Sequence, residues 1–344
     1  MLYALARPLI FSLDAERAHR LTIAGLKLLP AASPPSLDPC LASRVAGIDF
    51  PGPVGLAPGF DKNGEVAWQM FGFGFGFAEI GTVTPLPQTG NPRPRLFRLV
   101  EDAAVINRMG FNNDGAQAVL ARIERFAGRP GVIGINIGAN KDSPDRVADY
   151  ARMTGIMTPH AAYLTVNISS PNTPGLRALQ DSAALIDLLD AVLAARGTMA
   201  TPIFLKLAPD LEPQDIDDIA RIALDKRLDA LIISNTTLSR PALASRHAGE
   251  AGGLSGAPLH DLALQRLRDF RKATGGAMPL IGVGGIASAD QAYARIRAGA
   301  SLVQLYSALA FAGPALVRDI NRGLVALLRR DGLASIGEAV GLDA

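Results

Sequence analysis

The chain has 344 residues, nearly half of them hydrophobic, a formal net charge of +2 and one cysteine, Cys40. That length buries enough surface to need no staple, one thiol excludes a disulfide framework or thiolate zinc cluster, and a near-neutral balance without a basic run excludes a nucleic-acid binder. Charges and prolines interrupt each apolar stretch short of the ~18–20 residues that cross a membrane, and Asp14 and Glu16 interrupt any secretory pattern.

In residues 1–30, Leu2, Leu5, Leu9 and Leu13 recur at helical spacing, Asp14 is placed to cap a second helix, and Ala18, Leu21, Gly25 and Leu28 continue a face. Arg7, Arg17, Arg20 and Lys27 outnumber Asp14 and Glu16 here, so the chain's whole excess of positive charge lies in this piece. Pro30, Pro34, Pro35 and Pro39 then read as a stiff linker. A helical hairpin packed on the main domain and an element lying on an anionic membrane both fit this pattern.

From about residue 44 short aliphatic runs alternate with helical stretches. Predicted strands are Val54–Ala57, Ala78–Val83, Val132–Ile137, Tyr163–Ile168, Ile203–Leu207, Leu231–Ser234, Leu280–Val283 and Leu302–Leu305. The clearest helices are Gly115–Phe126, Ser182–Ala195, Pro213–Leu224, Leu259–Ala273, Ala289–Ala298 and Gly313–Arg330. Eight strands apolar on both faces, alternating with helices, predict a closed α/β (β/α)8 barrel, with Arg44–Ile48 as an extra strand in a hairpin that closes its bottom.

Such barrels do their chemistry where the strands end. The first strand runs into Gly59-Phe60-Asp61-Lys62-Asn63-Gly64, the second into Gly81-Thr82-Val83-Thr84, and the third carries Asn136. Asn167-Ile168-Ser169-Ser170-Pro171-Asn172 follows the fourth, Lys206 sits on the fifth and Ser234-Asn235-Thr236-Thr237 follows the sixth. The last two end in Gly284-Gly285 and Tyr306-Ser307, a pairing suited to a phosphate. Asn107, Asn136, Asn167, Asn172 and Asn235 supply neutral amides matched to the alternating N–H and C=O edge of a pyrimidine or an isoalloxazine, while Lys62 and Lys206 add two cations. Gly282-Val283-Gly284-Gly285-Ile286-Ala287 formally matches a dinucleotide fingerprint, but the next strand ends in Leu305-Tyr306-Ser307 without the acidic residue such a site needs.

These strings resemble the dihydroorotate dehydrogenase family in its membrane-associated, quinone-using class, over nearly the whole chain. The resemblance rests on Asn167 to Leu176, Gly59 to Glu65, Gly81 to Pro85, Ile106 to Asn112 and Gly282 to Ile286 taken together. It implies FMN as cofactor, oxidation of (S)-dihydroorotate to orotate, and ubiquinone or menaquinone as acceptor. It implies peripheral contact with membrane lipid at the cytoplasmic side, and no nucleic acid or obligatory protein partner. Residues 1–40 would be the membrane-associating and quinone-access segment, and 41–344 the FMN-binding barrel.

The resemblance also assigns roles. Ser170 would be the base, where soluble classes carry cysteine. Lys62, Asn107, Arg108, Met109, Gly110, Phe111, Asn167, Asn172, Asn235 and Thr236 would hold the substrate. Ala57, Pro58, Gly59, Phe60, Asp61, Thr82, Asn136, Asn167, Lys206 and Ser234 would hold the flavin, and Gly256, Gly285, Tyr306 and Ser307 its phosphate. His19 and Arg98 would line the quinone site, although His19 by itself reads as a surface residue on a helix. Pro58 and Ser234 depart from the alanine and threonine that many relatives have, and Pro58 removes a backbone donor. A serine hydroxyl is a weak base, so a dry pocket and a Thr or water relay are expected beside it, with Ser170 to Gly175 as a lid.

Overall fold

The computed structural model describes residues 2–344, the side chains of Leu2 and Ala4 excepted, so Leu2 of the predicted apolar face lies outside the described side chains. The chain opens with α1 (Leu2–Ser12) and α2 (Ala15–Leu26). Asp14 caps α2 as its position predicts, its carboxylate accepting the Arg17 amide at 2.9 Å. The hairpin expected around 44–48 is formed by β1 (Ser43–Val45) and β2 (Ile48–Phe50), where Ala46 and Gly47 take φ of 51° and 78° and turn the chain. Its Val45 and Phe50 pack with Phe77, Tyr163 and Phe204 and plug the barrel bottom.

Eight parallel strands form the barrel: β3 (Val54–Leu56), β4 (Phe77–Val83), β7 (Val132–Ile137), β8 (Tyr163–Asn167), β9 (Ile203–Leu207), β10 (Ala230–Ile233), β12 (Leu280–Val283) and β13 (Ala300–Leu305). Closure is between β13 and β3, with Val303 opposite Val54. The outer helices are α3 (Ala67–Phe71), α4 (Ala116–Glu124), α5 (Arg146–Met157), α6 (Ser182–Arg196), α7 (Pro213–Asp225), α8 (His260–Ala273), α9 (Ala289–Arg297) and α11 (Leu316–Arg330), with a short α10 (Ser307–Ala312) after β13. Alternation along each strand sorts the interior into layers. Phe77, Phe204 and Leu302 fill the lower one, and two residues further along the same strands stand Glu79, Lys206 and Gln304, all buried.

Sequence pattern missed one layer of this architecture. Two insertions at the barrel mouth, β5 (Leu96–Leu99) with β6 (Ala104–Asn107), and β11 (Gly253–Gly256), pair antiparallel into a three-stranded side sheet. Phe97, Leu99, Ala104, Ile106 and Leu254 form its small core. The strands are four residues each, and Gly253-Leu254-Ser255-Gly256 has the composition of a loop, so only pairing reveals it.

The N-terminal pair docks on that mouth. Glu16 on α2 is buried and receives Arg95 Nε and Nη2 at 3.0 and 2.9 Å, with Arg93 at 3.0 Å from the rim. Arg98 Nη2 donates to the Leu13 carbonyl at 2.7 Å and its guanidinium covers the Phe11 ring at 4.7 Å. The Tyr3 hydroxyl donates to Ala310 of α10 at 2.5 Å.

Candidate active site

One cavity of about 590 Å³ begins between the N-terminal helices, where Phe11, His19 and Arg98 line it, and ends at the barrel floor on Asn167, Lys206 and Val283. Around it lie Ala57, Pro58, Gly59, Phe60, Lys62, Thr82, Asn107, Met109, Gly110, Phe111, Ser170, Asn172, Ser234, Asn235, Thr236, Gly256, Gly285, Tyr306 and Ser307. The residues that the sequence scattered over seven strand ends thus share one space.

Its floor is a buried hydrogen-bond chain. The Thr82 hydroxyl donates to Asn136 Oδ1 at 2.5 Å, and Asn167 Nδ2 reaches both Thr82 Oγ1 at 3.0 Å and Asn136 Oδ1 at 3.1 Å. Asn167 Oδ1 accepts the Ser169 hydroxyl at 2.9 Å, and Asn235 Nδ2 donates to Ser169 Oγ at 2.9 Å. Pairing explains the height of these groups, since Asn136 stands opposite Thr165 and Asn167 opposite Lys206 in the parallel register. Lys206 Nζ has no hydrogen-bond partner among the described residues, and burial pushes its pKa down against the pull of Glu79. A desolvated, unpartnered ammonium facing a cavity is a receptor for an electron-rich ligand atom.

Above the floor two loops meet. Ser170, buried, accepts the Asn172 amide on its Oγ at 3.2 Å, and Asn172 Nδ2 donates to Asn107 Oδ1 at 3.1 Å. Asn91 clasps the same loops, its Nδ2 donating to the carbonyls of Arg108 and Asn172 at 3.1 Å each. Arg177 ties the serine loop to the β10 loop through the carbonyls of Ser169 at 3.1 Å and Thr236 at 3.0 Å, and pairs with Asp210 at 2.9 Å. The Thr173 hydroxyl is buried with no partner. Lys62 Nζ donates to the Gly59 carbonyl at 2.8 Å, and burial, partly offset by Glu16 and Asp61, lowers its pKa to about 8.

Three expected site residues do not face the cavity. Asp61 is turned into its own loop, where its carboxylate accepts the amides of Glu65 and Val66 at 2.9 and 2.8 Å, so it shapes the Lys62 turn. Asn136 lies one layer beneath, with its amide spent on Glu79, Thr82 and Asn167. The Arg108 side chain leaves the site to pair with Glu250 at 2.8 Å and stack on Phe97 at 4.6 Å, because the side sheet puts alternate residues on opposite faces. Two further readings change. Asn107 ends the side-sheet strand β6 and not a barrel strand, whereas Asn172 lies in the loop after β8 as its position predicts. Gly285 is required less by any ligand than by the barrel, since at φ +66° an added Cβ would stand 2.5 Å from His260 Cα.

His19 is not the surface residue its helix position suggested. It packs edge-on against Phe60 at 5.5 Å, lies 3.4 Å from the Tyr306 hydroxyl, and burial together with the Lys62 cation drives its pKa down to about 3, so it is neutral. Glu16, Glu79, Asn91 and Arg177 were missed in the sequence. A charged or amide residue inside an apolar strand, as in Phe77-Ala78-Glu79-Ile80, was the available signal for Glu79.

A protein-family model described as dihydroorotate dehydrogenase matches residues 40–328. The chain is 67% identical over 344 residues to the dihydroorotate dehydrogenase (quinone) of Novosphingobium aromaticivorans, covering 98% of this chain and 99% of that one. It is 63% identical to the protein of that name from Erythrobacter litoralis, covering 99% of both. A solved DHODH of Eimeria tenella in complex with ferulenol superposes with a TM-score of 0.92 at 38% identity, over 97% of this chain and 98% of that one. The chain belongs to the dihydroorotate dehydrogenase family, in its quinone-dependent class.

Membership of this dehydrogenase family implies FMN, and the residues present fit it. The free Lys206 ammonium and the Asn167 and Thr82 edge suit a flavin ring, and about 590 Å³ admits a tricyclic group with a second small ligand. Ser307 Oγ, 2.8 Å from Ser255 Oγ, offers a hydroxyl beside the backbone turns at Gly256 and Gly285.

Proposed function

We propose that this family member oxidises dihydroorotate to orotate with Ser170 as base, in a site whose far end admits a membrane quinone. When bound, FMN would supply the acceptor for the hydride from dihydroorotate C6 and the two-electron carrier that the quinone reoxidises. Ser170 takes the C5 proton, and its place in a buried loop removes the water that would otherwise level its basicity. Thr173, three residues on in the same loop and carrying a buried unpartnered hydroxyl, would relay the proton that Ser170 sheds, accepting it as its own hydroxyl proton passes to solvent. Lys62 faces the substrate carboxylate, and Asn107, Asn172, Asn235 and Thr236 bind the pyrimidine edge, with the backbone of Met109, Gly110 and Phe111 beside them. Ala57, Pro58, Gly59, Phe60, Thr82, Asn167, Lys206 and Ser234 hold the flavin, and Gly256, Gly285, Tyr306 and Ser307 its phosphate.

The observation that carries the reading is the continuity of the cavity from the Ser170 loop to the N-terminal helices. His19 and Arg98 stand at that outer end, a neutral imidazole and a cation suited to the polar head of a quinone, ubiquinone or menaquinone. Leu5, Leu9, Leu21, Leu28 and Leu29 are exposed on the same segment, beside Arg7, Arg17, Arg20 and Lys27. Those exposed leucines and cations support residues 1–40 as a peripheral anchor at the cytoplasmic face, with 41–344 as the catalytic barrel; no helix among the described residues is long and apolar enough to cross a membrane.

Anaerobic titration with dihydroorotate tests the reading. The purified protein is expected to carry FMN, bleach on titration and reoxidise with quinone, not with fumarate or NAD. Ser170→Ala is expected to keep the flavin and slow its reduction by ~10²–10⁴-fold. Bleaching at the parent rate removes Ser170 as the base.

A further inference from the structure

Glu79 is a buried carboxylate that the reaction as described leaves without a role. It stands on β4 facing the barrel axis, fully buried, in the interior layer of Lys206 and Gln304 and outside the cavity lining. Its Oε1 accepts Asn136 Nδ2 at 2.8 Å, and its Oε2 accepts Gln304 Nε2 at 2.7 Å and the Tyr163 hydroxyl at 3.1 Å. Barrel interiors of this kind are ordinarily packed with branched aliphatics, so an acid here costs stability unless it serves something.

The direction of the hydrogen bonds shows what it serves. A carboxylate only accepts, so Asn136 must turn its amino group down to Glu79 and its carbonyl up. That carbonyl then takes the Thr82 hydroxyl and the amino group of Asn167. Asn167 in turn must present its carbonyl to Ser169, and Asn235 its carbonyl to the Thr236 amide at 2.8 Å. Amide groups have two nearly isosteric ends, and the polarity of this whole run starts from one charge. The same carboxylate shares a buried interior layer with Lys206, each two residues beyond the Phe77 and Phe204 of the layer below, and its charge opposes the effect of burial on the ammonium.

We propose that Glu79 is a positioning residue for the flavin site: it fixes which ends of Asn136 and Asn167 face the ligand and supplies the counter-charge to Lys206. The orienting half rests on the FMN reading above, whereas the charge balance between Glu79 and Lys206 does not. Tyr163 and Gln304 complete the acid's solvation without adding charge, since burial and Glu79 together hold the Tyr163 phenol well above its ordinary range.

A double-variant cycle on the full chain, with FMN in excess, tests it through melting temperature and FMN dissociation constant. Glu79→Gln keeps the shape and removes the charge, and Lys206→Met removes the opposite one. Each single variant is expected to melt below the parent, and the double variant to lose much less than the sum, because removing both charges leaves no unpaired one. FMN should dissociate from E79Q with a constant raised at least tenfold. Should E79Q not fold alone, K206M is compared with the double variant: added stability, or recovery of soluble protein that K206M lacks, supports the pairing. Additive losses, or further loss on adding E79Q to K206M, overturn the counter-charge, and parent-like FMN affinity of E79Q overturns the positioning. A parent protein that binds no FMN sinks the flavin reading and leaves the melting cycle intact.

Discussion

Replacing Glu16 with alanine tests how the N-terminal helices are held over the cavity. In the parent, Arg95 and Glu16 are both about 5–6% exposed and joined by two hydrogen bonds, so the variant strands a buried guanidinium. Removing one partner of a buried pair costs about 3–5 kcal/mol. The Arg93 contact adds little, since that side chain is 57% exposed. Arg95 keeps the Thr89 and Asn91 carbonyls, at 2.5 and 2.8 Å, which places the loss at the lower end. About 3 kcal/mol is roughly a hundredfold in the ratio of docked to undocked α2. Hydrogen exchange should therefore speed up through residues 15–26, and quinone turnover should fall while anaerobic flavin reduction is largely kept. The contribution is also pH-dependent. Burial alone would raise the Glu16 pKa, but the hydrogen bonds and charges of Arg95 and Arg93 outweigh it and hold it below the ordinary value. A depressed carboxyl stabilises the folded form at neutral pH and loses that effect as pH falls from the ordinary glutamate range through its folded pKa, so α2 should loosen in acid in the parent and not further in the variant. Unchanged exchange in α2 of Glu16→Ala would show that the apolar contacts hold the helix and that the ion pair is incidental.

Two further outcomes are expected. Because Lys62 has a pKa near 8 in the free protein, kcat/KM for dihydroorotate should decline as pH rises through that value while the substrate carboxylate stays ionised, and Lys62→Met should show no such break. Leu5→Ser combined with Leu9→Ser, at positions 79% and 74% exposed, should weaken binding to anionic vesicles at least tenfold in a flotation assay while leaving flavin reduction by dihydroorotate unchanged. Vesicle binding equal to the parent's would remove those leucines from the membrane contact.

The barrel was legible because its signal is local and repeated. β7, β9 and β12 fall where the aliphatic runs predict, and the other barrel strands end within two residues of their predicted bounds. Asp14 capping α2 was equally plain, since a cap acts across three residues. β5, β6 and β11 were not legible, because a four-residue strand declares itself only by its partner, here about 150 residues away for β6 and β11.

The site divides in the same way. Residue type and position at or just after a predicted strand were enough to nominate Lys62, Thr82, Asn167, Ser170, Asn172, Lys206 and Asn235, because polar groups at buried strand ends demand a use, whereas Asn107 was nominated by residue type and resemblance alone. Which of the nominated side chains reach the cavity was decided by tertiary structure. Asn136 and Lys206 were nominated on the same ground, yet the register sets Lys206 free and spends Asn136 on Glu79. Arg95 and Arg98, three residues apart, both serve α2 and the turn before it only because that segment folds back across β5. Composition and spacing along the chain thus determined the barrel and the chemical types at its mouth, while the family came from the resemblance of its motifs. Which groups are dry, paired or pointed inward depends on distances between segments remote in sequence, and those exist only once the chain has closed.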